Sequence, residues 1–216
     1  GWYVPRYVIE GDSDRGIEAM APDLQSVQDL ERYREVFASD QRPGTGQLMD
    51  GSPGWFSYKI DCMKLKAYRL DDSYAQVTSG SESALFSALE EAHEAGEPIL
   101  TYVFEPTWPM AQFDLVKLEE PPYDPQQWEE DKGVAFPDSQ IKKLVYRDFR
   151  ERAPDVTEFL EQVSLSTDRI NEILLTMHEE DMEPQEAARQ WLQENTDTWT
   201  SWVPDDVAER VEEQLQ

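Results

Sequence analysis

Between residues 47 and 119, segments with the pattern of β-strands alternate with segments with the pattern of α-helices. The run "PILTYVFEP" (98–106) is almost entirely apolar and predicts a strand that is buried on both faces of a sheet. Residues 81–97 predict the helix before it, because Ser81 is a good capping residue and Gly96 is a good terminator. Such an alternation is typical of an α/β domain with a parallel or mixed sheet.

The segments on either side extend this pattern. "GWYVPRYVI" (1–9) is rich in aromatic and β-branched residues and predicts a buried strand. Residues 21–37 carry apolar side chains at helical spacing, "KKLVYRDF" (142–149) predicts one more strand, and from Ala153 onward the spacing predicts helices alone. The other predicted elements are strands at 47–51, 73–80 and 114–120 and helices at 55–70 and 107–113.

Acidic residues outnumber basic residues by 46 to 19, which gives a formal net charge of −27. The acids are spread along the whole chain, so we interpret them as a solvated outer face, of which salt adaptation is one form. A cation-binding or nucleic-acid-mimic role is the alternative. A surface of this charge repels nucleic acid and anionic membranes, so we expect no nucleic-acid partner.

Several kinds of site and segment are missing from the sequence. Cys62 is the single cysteine and only His93 and His178 could join it, so we expect no disulfide, metal site or cofactor. Without a nucleophile–base motif or a phosphate-binding glycine loop we expect no enzyme, and hydrolysis by paired acids is the alternative. No stretch reaches the roughly 20 apolar residues of a membrane span. The apolar opening at Gly1 is typical of a strand within a domain, so we expect the chain to continue upstream.

Two aromatic residues lie where predicted strands give way to other structure. Trp55 follows Ser-Pro-Gly in "DGSPGWFSYK" at a predicted helix start, and Phe104 lies near the end of the predicted strand 98–106. In α/β sheets, ligands bind at the carboxyl ends of strands, where helix N-termini provide unpaired N–H groups. The N–H groups of Phe56 and Ser57 therefore suit a carboxylate.

A zwitterion with a carboxylate and a quaternary ammonium fits this combination. The ammonium cannot donate a hydrogen bond and is held best against aromatic faces such as those of Trp55 and Phe104. The alternative is that both side chains are ordinary core aromatics, and the residues by themselves leave the two interpretations open.

Several segments, in this order, resemble the glycine betaine/proline betaine substrate-binding proteins of ABC importers. They are "GWYVPRYV", "SVQDLERY", "GSPGW", "SGSESALFSALEEAHEAGEPILTYVFEPTW" and the helical stretch 153–203. The resemblance implies a two-lobed, periplasmic-binding-protein-like α/β fold of type II, present here as a partial chain, and a protein that is not an enzyme.

The resemblance also implies which residues contact the ligand. These are Trp55, Phe56, Ser57, Phe104, Glu105 and Trp108. The family has a cage tryptophan where this chain has Phe104, which is a weaker partner for a cation. The family has threonine at the next position, where Glu105 places a carboxylate beside the expected ammonium site.

The resemblance assigns residues 1–120 to the α/β ligand-binding lobe, 121–150 to a crossover or linker, and 151–216 to helices of the partner lobe. It implies a quaternary-ammonium osmolyte as ligand, with an ABC transporter permease as partner. It places the protein outside the cytoplasmic membrane, in the periplasm or another extracytoplasmic space, either free or anchored as a lipoprotein. A sensory or regulatory ligand-binding domain of the same fold, without transport, is the alternative.

Overall fold

The structure is a computed structural model that describes residues 1–39 and 41–215. In these residues the strands are β1 (Trp2–Pro5), β2 (Gly46–Asp50), β3 (Tyr74–Thr78), β4 (Leu100–Tyr102) and β5 (Leu115–Lys117). The α-helices are α1 (Arg6–Glu10), α2 (Phe56–Ala67), α3 (Glu82–Ala95), α4 (Pro109–Gln112), α5 (Pro125–Glu130), α6 (Phe149–Arg152), α7 (Pro154–Gln162), α8 (Thr167–Glu179), α9 (Pro184–Glu194), α10 (Thr196–Trp199) and α11 (Asp205–Leu215). Val27–Tyr33 and Thr200–Trp202 form 3₁₀ turns.

The chain divides into two compact units. Unit 1 contains residues 1–104 and 113–138, and unit 2 contains residues 105–112 and 139–216. All five described strands belong to unit 1, and the described elements of unit 2 are helices. Within the described part of the chain, no helix has both the length and the apolar character that crossing a membrane would require.

The strands of unit 1 form one mixed sheet in the order β3-β2-β4-β1-β5. Strand β2 runs parallel to β3 and β4, whereas β1 runs antiparallel to β4 and β5. This confirms the predicted α/β class with a mixed sheet. Strands β3 and β4 flank β2 on opposite sides. The connection from β2 to β3 therefore goes to one side of β2, and the connection from β3 to β4 crosses to the other side. Ligands of open α/β sheets bind at the carboxyl ends of strands at such a switch point.

The core of unit 1 forms around the central strands. Every residue of β1 and β4 is buried, as expected for strands covered on both faces. Helix α3 begins and ends as its sequence predicts. The Ser81 hydroxyl accepts a hydrogen bond from the Ala84 N–H, and Gly96 ends the helix in the left-handed conformation at φ 69°. Its residues Leu85 and Leu89 are fully buried.

Two predicted elements are shorter than expected. The predicted strand 1–9 ends at Pro5, because proline has no N–H to donate to the sheet, and the next residues form α1. The predicted helix 21–37 is helical only at Val27–Tyr33, where it is a 3₁₀ turn. Its apolar spacing nevertheless predicts the core, since Leu24, Val27, Leu30 and Phe37 are buried.

The strand predicted at 142–149 is wrong. Residues 141–146 have no regular secondary structure, residues 147–148 form a turn, and α6 starts at Phe149. Ile141 is 87% exposed and Leu144 is 91% exposed. A strand needs a neighbouring strand for its hydrogen bonds, and none is described in unit 2. Helix α5, in contrast, forms within the stretch predicted as a linker.

The helices of unit 2 pack through amphipathic faces. Their apolar residues line a groove of about 600 Å³ in which Trp199, Trp202 and Phe159 lie close together. The indole N–H of Trp199 donates to the Leu192 carbonyl at 2.7 Å. The indole of Trp191 stacks on that of Trp202 at 5.7 Å between ring centroids.

Candidate functional site

The carboxyl ends of β2 and β4 carry the predicted aromatic residues of unit 1. Strand β2 ends at Asp50, and a turn over residues 51–55 leads directly into α2. The turn is closed by a hydrogen bond from the Trp55 N–H to the Ser52 carbonyl at 2.9 Å. Trp55 is the residue before the first helical turn, and its side chain makes no capping hydrogen bond. The N–H groups at the start of α2 therefore receive no acceptor from the residue that would normally cap them.

The structure brings Trp55 and Phe104 together. Their rings meet edge to face, with centroids 5.9 Å apart and planes at 85°. Both side chains are half-buried and pack against the core of unit 1. Phe104 also lies 6.2 Å from the rings of both Phe86 and Tyr102. An aromatic cluster with two partly exposed members thus lies beside the start of α2.

The position of the Trp55 ring depends on a glycine. A Cβ atom added at Gly51 would lie 2.4 Å from ring atoms of Trp55, a distance that no packed side chain tolerates. The indole therefore lies directly on the backbone of the turn.

The two residues after Trp55 differ in their surroundings. Phe56 is 71% exposed. Ser57 is half-buried, and its side chain forms a hydrogen bond with the phenol of Tyr102. Burial raises the pKa of Tyr102 to about 12, so this phenol is neutral at physiological pH. Ser57 links the first turn of α2 to the end of β4.

Asp50 fixes the end of β2 beneath the turn. Its carboxylate accepts hydrogen bonds from the Gly51 N–H at 2.6 Å and from the Gln76 side-chain amide at 2.7 Å. The same amide nitrogen donates to the Tyr58 carbonyl at 2.8 Å, in the first turn of α2. Asp50 and Asp61 are both completely buried, and burial raises the pKa of each. Sequence analysis missed both residues, although Asp61 stands out as an acid on the buried face of a helix.

A buried ion pair lies further along α2. The Lys64 ammonium contacts the Glu120 carboxylate, and both side chains are essentially inaccessible to solvent. The ammonium also donates to the Val134 carbonyl at 2.5 Å, and the Tyr68 hydroxyl donates to Glu120 at 2.9 Å. Burial lowers the pKa of Lys64, and the Glu120 charge opposes that shift. The pair ties α2 to the segment that follows β5.

Glu105 and Trp108 belong to unit 2. Glu105 is exposed. The Trp108 indole is stacked on the His178 imidazole of α8 at 3.8 Å, with the planes at 8°. The Thr107 N–H donates to the buried Asn171 side chain at 2.8 Å, so residues 105–112 are held against α8. One face of the Trp108 ring is therefore covered by a neighbour within the same unit.

Across 1–39 and 41–215, no group of three or more histidine, cysteine, aspartate or glutamate side chains is arranged to hold a metal ion.

Residues 1–194 match the family model described as the substrate binding domain of ABC-type glycine betaine transport systems. Over 148 residues, the chain is 27% identical to the glycine betaine/carnitine transport binding protein GbuC of Listeria monocytogenes, covering 68% of this chain and 45% of that protein. The chain spans about half the length of the curated relatives it matches.

Solved structures show the same fold. A lactococcal OpuAC in its closed form with glycine betaine matches with a TM-score of 0.60 at 18% identity, covering 94% of this chain and 66% of that one. An ABC-transporter choline-binding protein in complex with choline matches with a TM-score of 0.59 at 18% identity, covering all of this chain and 68% of that one. Such likenesses identify a type II periplasmic-binding-protein fold.

Proposed function

The chain belongs to the family of substrate-binding domains of ABC-type glycine betaine transport systems, and from that premise we propose that its unit 1 binds a quaternary-ammonium osmolyte at the carboxyl ends of β2 and β4. Members of this family bind substrates and are not enzymes. The half-buried pair of Trp55 and Phe104 beside an uncapped helix start is the observation that carries the proposal.

The anionic end of the ligand would be held by α2. The N–H groups of Phe56 and Ser57 point out of the first helical turn, and the helix dipole adds a partial positive charge at the same place. Trp55 cannot satisfy these groups itself, because an indole has no hydrogen-bond acceptor. A carboxylate of the ligand would take the place of the missing cap.

The cationic end would lie against the aromatic cluster. A quaternary ammonium over an aromatic face gains about 0.5–2 kcal/mol, with tryptophan as the best partner. The edge-to-face arrangement of Trp55 and Phe104 presents two differently oriented rings to a rounded trimethylammonium group. Phe104 offers a smaller ring than the family's tryptophan, which leaves more space for the ligand.

Glu105 favours a ligand with less negative charge than glycine betaine. It follows Phe104 directly in the chain, and its side chain is exposed. A carboxylate attracts a simple cation such as choline and repels the carboxylate of a betaine. We propose that the ligand is a quaternary amine, with glycine betaine and choline as the two cases to compare.

The same proposal extends to the remaining parts of the chain. Unit 1 would be the ligand-binding lobe, and the helices 151–216 would belong to the partner lobe. The family resemblance makes Trp108 a further proposed ligand contact. Capture would occur outside the cytoplasmic membrane, and the ligand would be delivered to an ABC permease.

Calorimetric titration of the full-length protein with glycine betaine, choline and carnitine tests the proposal. We expect at least one of them to bind and to raise the melting temperature. The Glu105→Gln variant should bind choline about two- to fivefold more weakly, the size of an exposed charge interaction, and should bind glycine betaine equally well or better.

The Glu91→Gln variant is the matched control, because it removes one exposed acid from α3 and keeps the local helix. It should leave the affinities for both ligands unchanged. Absence of heat and of any thermal shift with all three amines would refute the proposed ligand class.

A further inference from the structure

We infer that the buried carboxyl groups of Asp50 and Asp61 share one proton, carried on Oδ2 of Asp61, and that this pair positions the turn 51–55 of the ligand site. The second half of this inference rests on the proposed function, and the first half stands without it. Both side chains are fully buried in unit 1, one at the end of β2 and the other in α2.

Counting donors and acceptors shows which of the two is ionised. Both oxygens of Asp50 already accept an N–H, Oδ1 from Gly51 and Oδ2 from Gln76. Two N–H donors stabilise a negative charge, so Asp50 is the carboxylate of the pair. A proton on Asp50 would compete with one of these donors.

Asp61 has the opposite arrangement. Its Oδ1 accepts the indole N–H of Trp2 at 2.8 Å, while Oδ2 is buried with no donor directed at it. Burial raises the pKa of Asp50, and a side-chain hydrogen bond with Asp61 opposes that shift, so the two carboxyl groups are neighbours. Two carboxylates cannot bond without a proton between them. The oxygen of Asp61 that lacks a donor is the place for that proton.

The surrounding charges are consistent with one retained proton. Burial raises the pKa of Asp61 well above its ordinary value, and the Asp50 charge raises it further. Lys64 acts in the opposite direction, but it is already paired with Glu120. The Asp61 charge also acts on the phenols of Tyr68 and Tyr102; burial raises the pKa of both, so both stay neutral.

The pair is coupled to the ligand site through short contacts. Asp50 accepts a hydrogen bond from the Gly51 N–H, and the Trp55 ring packs directly against the backbone of Gly51. Through Gln76, Asp50 is also connected to the Tyr58 carbonyl in the first turn of α2. Loss of the proton would leave two adjacent buried negative charges that repel each other. The hydrogen bonds of Asp50 with Gly51 and Gln76, which position both the turn and the start of α2, would then be weakened.

The sign of the pH effect follows from the raised pKa values. The folded protein holds a proton that the unfolded chain has lost above about pH 4. Stability should therefore fall as pH rises from there towards the pKa of the folded pair. Ligand affinity should fall with the same midpoint.

The variants Asp61→Asn and Asp50→Asn separate the two roles. An asparagine at 61 can still accept from Trp2 and can donate to Asp50 as the protonated acid does, but it cannot titrate. An asparagine at 50 turns an NH₂ group towards the donors of Gly51 or Gln76. We expect Asp61→Asn to keep the melting temperature at neutral pH, and Asp50→Asn to lower it clearly.

Two measurements complete the test. The infrared band of a protonated carboxyl group should be present in the ligand-free wild type at neutral pH and lost in Asp61→Asn. Affinity for glycine betaine or choline, whichever binds, should fall roughly tenfold or more in the wild type as rising pH removes the proton, because burial raises the pKa of Asp61. It should stay flat in Asp61→Asn.

The outcomes distinguish this inference from the proposed function. Absence of the band, or an Asp61→Asn variant as unstable as Asp50→Asn, would overturn the proton assignment whether or not any ligand binds. A band together with identical affinity profiles in wild type and Asp61→Asn would overturn the positioning role. Failure of every amine to bind would overturn the proposed function and the coupling to it, while the band alone would still establish the shared proton.

Discussion

The Trp55→Ala variant is expected to bind its quaternary amine roughly 10- to 100-fold more weakly than the wild type and to keep its fold. The lost cation–π contact is worth about 0.5–2 kcal/mol, and the lost apolar contact with the ligand adds about 1 kcal/mol. The fold should survive because the ring is half-buried and lies on the turn at Gly51. Calorimetric titration measures the affinity, and thermal unfolding without ligand measures the stability.

Trp128→Ala provides the matched comparison. Trp128 is 8% exposed and packs in a small cluster with Ile60 and Val134, so its removal should cost about 3–5 kcal/mol of stability. If Trp55→Ala destabilises the protein as much as Trp128→Ala does, Trp55 is a core residue and the site lies elsewhere. A Trp55→Phe variant should retain most of the affinity, since it keeps an aromatic face.

The Lys64→Met variant should lose about 3–5 kcal/mol of its free energy of unfolding. The substitution keeps the buried aliphatic volume but leaves the Glu120 carboxylate without a countercharge in a site closed to solvent. The second oxygen of Glu120 is already buried without a hydrogen-bond partner, and the Tyr68 hydroxyl on its first oxygen is a neutral donor that does not replace the lost positive charge. Urea unfolding of wild type and variant measures the difference.

The double variant Lys64→Met/Glu120→Gln shows whether the cost comes from the stranded charge. The neutral glutamine can still accept the Tyr68 hydroxyl that now bonds Glu120. Most of the lost stability should return, because replacing both partners of a buried ion pair costs far less than removing one. If the free energy of unfolding of Lys64→Met alone lies within about 1 kcal/mol of the wild-type value, water reaches the Glu120 carboxylate.

The sequence predicts the proximity of Trp55 and Phe104 better than it predicts the network of buried polar side chains beneath them. Trp55 and Phe104 could be placed together because each follows a parallel strand, and the carboxyl ends of β2 and β4 lie at the same edge of the sheet. Asp61 and Trp2 are 59 residues apart in the chain, and Lys64 and Glu120 are 56 apart. Spacing within one helix shows that an acid and a lysine occupy its buried face, but it does not identify their distant partners.

The wrong prediction at 142–149 has a different cause. The consecutive residues Leu144, Val145 and Tyr146 favour a strand, yet this preference reflects packing against neighbouring strands and not the isolated backbone. Among the described residues of unit 2 there is no strand against which this segment could pack. The residue types of 142–149 therefore identify an apolar segment but do not decide its conformation.

That unpaired segment has a consequence for handling the chain on its own. Residues 141–146 expose Ile141, Leu144 and Tyr146 at 87%, 91% and 70%, and a short apolar stretch of this composition can pair edge to edge with the same stretch of another molecule. Lys142 and Arg147 act as gatekeepers at either end, because stacking identical molecules in register would bring like charges together. We expect aggregation of the chain to start here, and to accelerate when added salt screens these charges.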